Sequence, residues 1–252
     1  MKILSIDIET SPHISAHFGT RNIFVKPEQM LQQSRMICWA AKWHGQKKVM
    51  YRSVWDDGRE AMLTELWHLL DEADLVVGFN SRKFDIKRIN SEFLRDGYAP
   101  PSPYHQVDLY QQSLKNFSFT SHRLKHLLQE LGLSPKLEDN ADMELWIDAC
   151  WHGDPTAQTR MKKYNIQDVK STEEFYDYLL GWIKPHLNWG LFVDDGTDNP
   201  VCPNCGSNEL VKKGLEYTKV RTYQRWKCKD CGAHHRGRRN IGKPGVENGI
   251  LA

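Results

Sequence analysis

No run of the sequence approaches the roughly 18–20 apolar residues that a membrane-spanning helix requires. The amino terminus passes straight into Lys2-Ile3-Leu4-Ser5-Ile6-Asp7 without the apolar core of a secretion signal. The expectation is a cytoplasmic protein, in a bacterium or a phage-infected host cell, with no membrane partner. There is no internal repeat and none of the compositional bias of a disordered or fibrous chain. Cysteine is scarce, six in 252 residues, and in a cytosolic chain its pattern suggests metal before disulfide. Cys38 and Cys150 are solitary, each beside a tryptophan in an apolar setting, and are expected to be buried, reduced thiols. Net charge is also nearly absent, at +2.

That balance hides an asymmetry. Lys and Arg number roughly 23 against 28 Asp and Glu in residues 1–200, and roughly 11 against 4 from 201 onward. A mildly acidic body suits carboxylates that hold metal, and a basic tail suits a polyanion. The patterning predicts strands over 2–9, 35–43, 48–55 and 74–79, with a short one over 106–109. Helices are expected over 58–73, 83–96 and 121–131. From 143 to 183 the chain reads as helical, with a break around Gly153-Asp154-Pro155. Residues 11–33, with Pro12, Gly19 and Pro27, read as a long loop over the end of the first strand. Together these give an α/β fold, a mixed sheet with helices packed on it. The expected domains are 1–187, a linker over 188–200, a small cysteine-bearing β domain over 201–240 and a loose tail over 241–252.

Three segments carry acids in suggestive places. In the first strand Asp7 and Glu9 point to one face while Leu4, Ile6 and Ile8 point to the other. Paired carboxylates at a strand end repel each other and lose hydration, and a hard divalent cation with oxygen ligands removes that cost. Alone, the pair reads more readily as solvated acids at a strand end. Asn80-Ser81-Arg82-Lys83-Phe84-Asp85 lies where the 74–79 strand meets a helix, and Asp85 alone reads equally well as a helix-capping acid. In Tyr164-Asn165-Ile166-Gln167-Asp168, helical spacing puts Tyr164 and Asp168 on one face.

In their order and spacing these segments resemble the three motifs of the DEDD proofreading-exonuclease superfamily, whose fold is ribonuclease H-like. Asp7-Ile8-Glu9 stands at D-x-E, Asn80 with Phe84-Asp85 at N-x-x-x-F-D, and Tyr164 with Asp168 at the Y-x-x-x-D of the tyrosine subgroup. The position that the histidine subgroup would fill is Lys163. The resemblance covers roughly residues 1–185. It implies removal of nucleotides from a 3′ end, with two Mg²⁺ or Mn²⁺ ions held by Asp7, Glu9, Asp85 and Asp168. Tyr164 would orient the attacking water, and Thr10, Asn80 and Phe84 would contact the terminal nucleotide. Asp108 stands behind this set as an acid outside it. His122 and His126 have metal spacing on the expected helix, but Arg123-Leu124-Lys125 between them would repel a cation, so they read as helix-surface histidines.

The remaining cysteines form two C-x-x-C-G turns, Cys202/Cys205 and Cys228/Cys231. In a reducing compartment that pattern points to a structural Zn²⁺ in a closed four-thiolate site. The segment resembles a zinc ribbon. Lys212, Lys213, Lys219, Arg221, Arg225, Lys227, Arg236, Arg238 and Arg239, interleaved with Tyr217, Tyr223 and Trp226, suit a phosphate backbone, with Arg225 and Lys227 as substrate contacts. The expected partner is nucleic acid, DNA favoured over RNA, in a replication or repair complex. Two alternatives stay open: a structure-specific endonuclease on the same fold, and a non-catalytic adaptor whose zinc ribbon binds nucleic acid.

Overall fold

The computed structural model describes residues 1–19, 23–133, 142–193, 199–219 and 221–242. Two compact units divide the chain between Phe175 and Tyr176. The first contains β1 (Ile3–Thr10), β2 (Ile14–Ser15), β3 (Met30–Gln32), β4 (Met36–Trp43), β5 (Met50–Ser53), α1 (Arg59–Glu72) and β6 (Leu75–Gly78). These are followed by α2 (Asp85–Arg95), β7 (His105–Asp108), α3 (Leu109–Asn116), α4 (Leu124–Glu130) and α5 (Met143–Ile147). The long helix α6 (Pro155–Leu179) runs out of this unit.

The five main strands lie in the order β5-β4-β1-β6-β7, with β4 antiparallel and β6 parallel to β1, so the sheet is mixed as expected. β4 is apolar on both faces and buried along nearly its whole length, which is how a strand covered on two sides reads in sequence. Leu4, Ile6 and Ile8 of β1 pack with Met62, Leu63, Leu66 and Leu70 of α1 and with Ile86, Ile89 and Phe93 of α2. Burying each such side chain stabilises the fold by about 1.5–3 kcal/mol. Cys38 and Ala40 of β4 face the other way, against Leu145 of α5 and Ala157, Met161 and Val169 of α6. An ion pair from Lys42 of β4 to Glu173 also ties α6 to this face. Asp7 and Glu9 project on that second side, since β-strand side chains alternate.

Several elements depart from the sequence reading. Residues 11–33 are not a plain loop: β2 and β3 pair antiparallel, with Ile14 opposite Gln32, and Pro27–Gln29 form a 3₁₀ turn. α3 was not expected. The helix expected over 121–131 begins only at Leu124, so His122 lies before it, bonded to Ser113 Oγ at 2.9 Å, while His126 pairs with Glu130. Cys38 is fully buried, while Cys150, in the π-helical turn Asp148–His152, packs against the same core cluster but is only partly buried. That turn ends at Gly153 (φ 65°), and Asp154 accepts from Thr156 N and Ala157 N to start α6, at the break the sequence predicted.

In the second unit β8 (Leu210–Tyr217), β9 (Thr222–Cys228) and β10 (His234–Asn240) form a three-stranded antiparallel sheet with β9 central. β8 and β9 form a hairpin between the two cysteine pairs, and β10 follows the second pair. Part of the expected linker forms a 3₁₀ turn, Trp189–Leu191. Residues 194–198 of that linker, and all but the first two residues of the expected tail, lie outside the described residues.

Gly78 ends β6 where the chain turns toward α2. A Cβ there would lie 2.5 Å from Ser81 Cβ and 2.6 Å from Ser81 Oγ, and Ser81 is buried. Gly78→Ala therefore forces the 79–84 turn to move, at a cost of about 1–3 kcal/mol. Thermal unfolding of the variant checks this; a melting temperature equal to the parent's would show that the turn yields freely.

Candidate active site and metal centre

Asp7 and Glu9 lie at the carboxyl end of β1, half-buried. The β1–β4 ladder shifts register between Glu9 and Thr10, where Glu9 faces Cys38 and Thr10 faces Met36. Such an irregularity re-aims side chains at the end of a strand. Asp85 opens α2 and is 4% exposed. It does not act as the capping acid that its position alone suggests. Its Oδ1 accepts instead from the main-chain N–H of Ile8 at 3.1 Å, joining the second motif to the first.

The third segment meets the first through a residue that the sequence reading did not single out. Asn165 of α6, fully buried, donates its side-chain amide to Asp7 Oδ2 at 2.7 Å and to the Asp7 carbonyl at 3.2 Å. Asp168 lies three residues further along the same helix, about 4.5 Å of axial rise, and is buried. Tyr164 is half-buried, edge-on to Trp146 with ring centres 6.1 Å apart. Phe84 is 38% exposed with the Arg88 guanidinium over its ring, and Thr10 is half-buried beside Glu9. The only sign of Asn165 in the sequence was its place inside the third motif, because a helical asparagine has no distinctive pattern.

The turn that delivers Asp85 is held by Asp108. This buried acid accepts from the main-chain N–H groups of Asn80 (2.9 Å) and Arg82 (3.2 Å), and caps α3 through Tyr110 N (3.1 Å) and Gln111 N (3.3 Å). Asn80 sits at φ 60°, a left-handed conformation that asparagine tolerates better than most residues.

Burial pushes the Asp85 carboxyl up to about 7; the Asp108 charge adds to the rise and the N–H of Ile8 opposes it. Cys38, opposite Glu9 in the ladder, is raised by burial and by the charges of Glu9 and Asp7. The site thus gathers half-buried and buried carboxylates. Its donors are oxygens, the set that hard divalent cations take. Asn165 Oδ1 is a further buried oxygen with no hydrogen-bond partner. These residues fit divalent metal. Their carboxylates are spread more widely than a single-ion cage. Among the described residues, the one group of three or more His, Cys, Asp or Glu donors within 4.8 Å of one another is Cys202, Cys205, Cys228 and Cys231.

Those four cysteines form no disulfide, with Cys202–Cys231 and Cys205–Cys228 sulfur separations of 3.6 and 3.7 Å. Gly206 and Gly232 follow each pair at φ 76°, letting the chain fold back over the sulfurs. Burial pushes Cys205 up to about 12. At Cys228 burial also raises the thiol, but main-chain N–H groups of Cys231 and Asp230 and hydrogen bonds from the Cys205 and Cys231 thiols together leave it lowered. Four such sulfurs can hold a soft or borderline ion such as Zn²⁺.

On β9, Tyr223, Arg225 and Lys227 alternate onto one face, with Arg236 opposite Arg225 and His234 opposite Lys227 on β10. The Arg236 guanidinium lies over the Tyr223 ring at 4.5 Å, and Tyr223 is buried, so it is not open for base stacking. Tyr217, 72% exposed, is open.

Residues 30–180 match the model of the RNase H superfamily, and the chain belongs to that superfamily. This is a nuclease fold whose members use divalent metals. Among solved structures the chain is similar to a family B DNA polymerase from the hyperthermophilic archaeon Pyrobaculum calidifontis, at 17% identity and a TM-score of 0.53. The likeness covers 71% of this chain and 24% of the polymerase, so the chain spans about a quarter of that protein. No curated protein sequence matches it. No helix among the described residues is long and apolar enough to cross a membrane.

An aspartate in an unfolded chain titrates near 3.9. With Asp85 pushed up to about 7, the folded protein holds a proton from about pH 4 to pH 7 that the unfolded chain has released. Without metal, stability therefore falls as pH rises through that window and levels off above it. Asp85→Asn removes this part of the slope, so the variant gains on the parent between pH 5 and pH 8. Urea unfolding of both metal-free proteins at the two pH values measures the difference; parallel profiles would contradict the shift.

Proposed function

We propose that this protein is a two-metal-ion 3′–5′ exonuclease of the tyrosine subgroup. The observation that carries the reading is the convergence on β1, where Ile8 N–H meets Asp85 and Asn165 meets Asp7. Segments separated by 77 and 158 residues are joined there at the strand end. Asp7, Glu9, Asp85 and Asp168 hold two Mg²⁺ or Mn²⁺ ions. Such a pair supplies an activated water and neutralises charge on the attacked phosphate and the leaving oxygen. Tyr164 orients that water by hydrogen bonding, since a phenol with a pKa of about 10 is a poor base at neutral pH. Thr10 and Asn80 contact the terminal nucleotide, and the exposed edge of Phe84 stacks on its base.

The four cysteines hold one structural Zn²⁺ and shape the basic sheet of the second unit, a zinc ribbon. Arg225 and Lys227 on its central strand bind the phosphate backbone. The likeness to a DNA polymerase supports DNA over RNA as substrate and a replication or repair setting.

Asp7→Ala and Asp168→Ala each abolish Mg²⁺- or Mn²⁺-dependent degradation of an end-labelled single strand while the protein stays folded. Full activity in both variants would overturn the site. A closed circular strand stays intact under a strict exonuclease; cutting it would favour the endonuclease reading. Replacing Arg225 and Lys227 together with alanine weakens binding at low salt. It also makes the dependence of log K on log salt shallower, by roughly 0.7–0.9 for each phosphate no longer neutralised. An unchanged slope would remove these two residues from the interface.

A further inference from the structure

We propose that Asn165 is a positioning residue that sets the geometry of Asp7, rather than a neutral filler between Tyr164 and Asp168. The inference rests on the two-metal reading above. Both atoms that its amide meets on Asp7, a carboxylate oxygen at 2.7 Å and the main-chain carbonyl at 3.2 Å, are acceptors. The side-chain nitrogen must therefore face them, and the amide orientation follows from the partners. A fork from one NH₂ group to the side chain and backbone of the same residue fixes the Asp7 carboxylate relative to β1. It occupies one carboxylate oxygen and so determines how the group is turned toward a cation.

The same bond has a second effect. Asn165 lies on the same helix as Tyr164 and Asp168, so the bond that orients Asp7 also docks α6 onto β1. The buried Oδ1 of Asn165, with no hydrogen-bond partner, is an acceptor that water around a bound ion can satisfy. No side chain without a donor of this length can reproduce the fork. Partners standing behind metal ligands in this way typically account for about 10–100-fold in metal affinity or activity.

The test is Mn²⁺ binding to the full-length protein without nucleic acid, followed by electron paramagnetic resonance, alongside steady-state degradation of a labelled strand. Asn165→Leu keeps the volume and removes the donor. It raises the half-saturating Mn²⁺ concentration about tenfold or more in the binding measurement. KM for the strand stays within about twofold, and excess Mn²⁺ restores part of kcat. Asn165→Ala, which leaves room for a water, gives the same split if the leucine variant does not fold. Mn²⁺ affinity within about twofold of the parent in a folded variant would overturn the proposal. Failure of the underlying reading looks different: the parent itself binds no Mn²⁺, or Asp7→Ala binds it as tightly as the parent.

Discussion

The carboxyl end of β1 brings the half-buried Asp7 and Glu9 beside the buried Asp85, and the surrounding elements are arranged to meet that constraint. Buried acids cost free energy unless donors or cations face them. Here the donors come from the backbone and from one amide: Ile8 N–H faces Asp85, and Asn165 faces Asp7. Neither of these two donors is a formal cation, so each orients its acid without neutralising it. The raised Asp85 carboxyl is the measure of that shortfall, since burial holds a proton on it that a cation would displace.

Behind this end a buried acid of a different kind works as a fastener. Asp108 takes four main-chain N–H groups, from the β6–α2 turn and from the start of α3. Its charge is met by four donors, whereas the main-chain N–H groups of Ile8 and of Asp85 itself are opposed at Asp85 by burial and by the charge of Asp108. Glu92 of α2, equally buried, is surrounded by Arg35, Arg59 and Arg95, which is how this fold treats an acid it keeps purely for structure.

The second unit meets a related problem with sulfur. Four thiols within 4.8 Å of one another, with glycine at positive φ after each pair, cannot all ionise together without a cation among them. On the sheet they anchor, strand alternation sorts the basic residues: Arg225, Lys227 and Arg236 share one face, while Lys212 lies over Trp226 on the other. Each face thus pairs basic groups with an aromatic ring, and Tyr223 is occupied as a platform for Arg236.

Much of this was written in the order of residues. The alternation in β1, the apolar run of β4, the periodicity of α1 and α2 and the two C-x-x-C-G turns follow from local spacing, because each depends on neighbours within a few positions. α3 was missed because its start depends on Asp108 capping it directly from a strand end, and the β2–β3 pair because it lacks apolar alternation. Asn165 could not be weighed from sequence, since an asparagine in a helix acquires meaning only when a distant carboxylate is brought to 2.7 Å. The sequence by itself determined which residue types could serve and on which side of each strand or helix they stand. Only the tertiary structure decided which acids are fed by donors, which are held near neutrality and which histidines or aromatics are already occupied, because desolvation and hydrogen bonding depend on contacts between segments far apart along the chain.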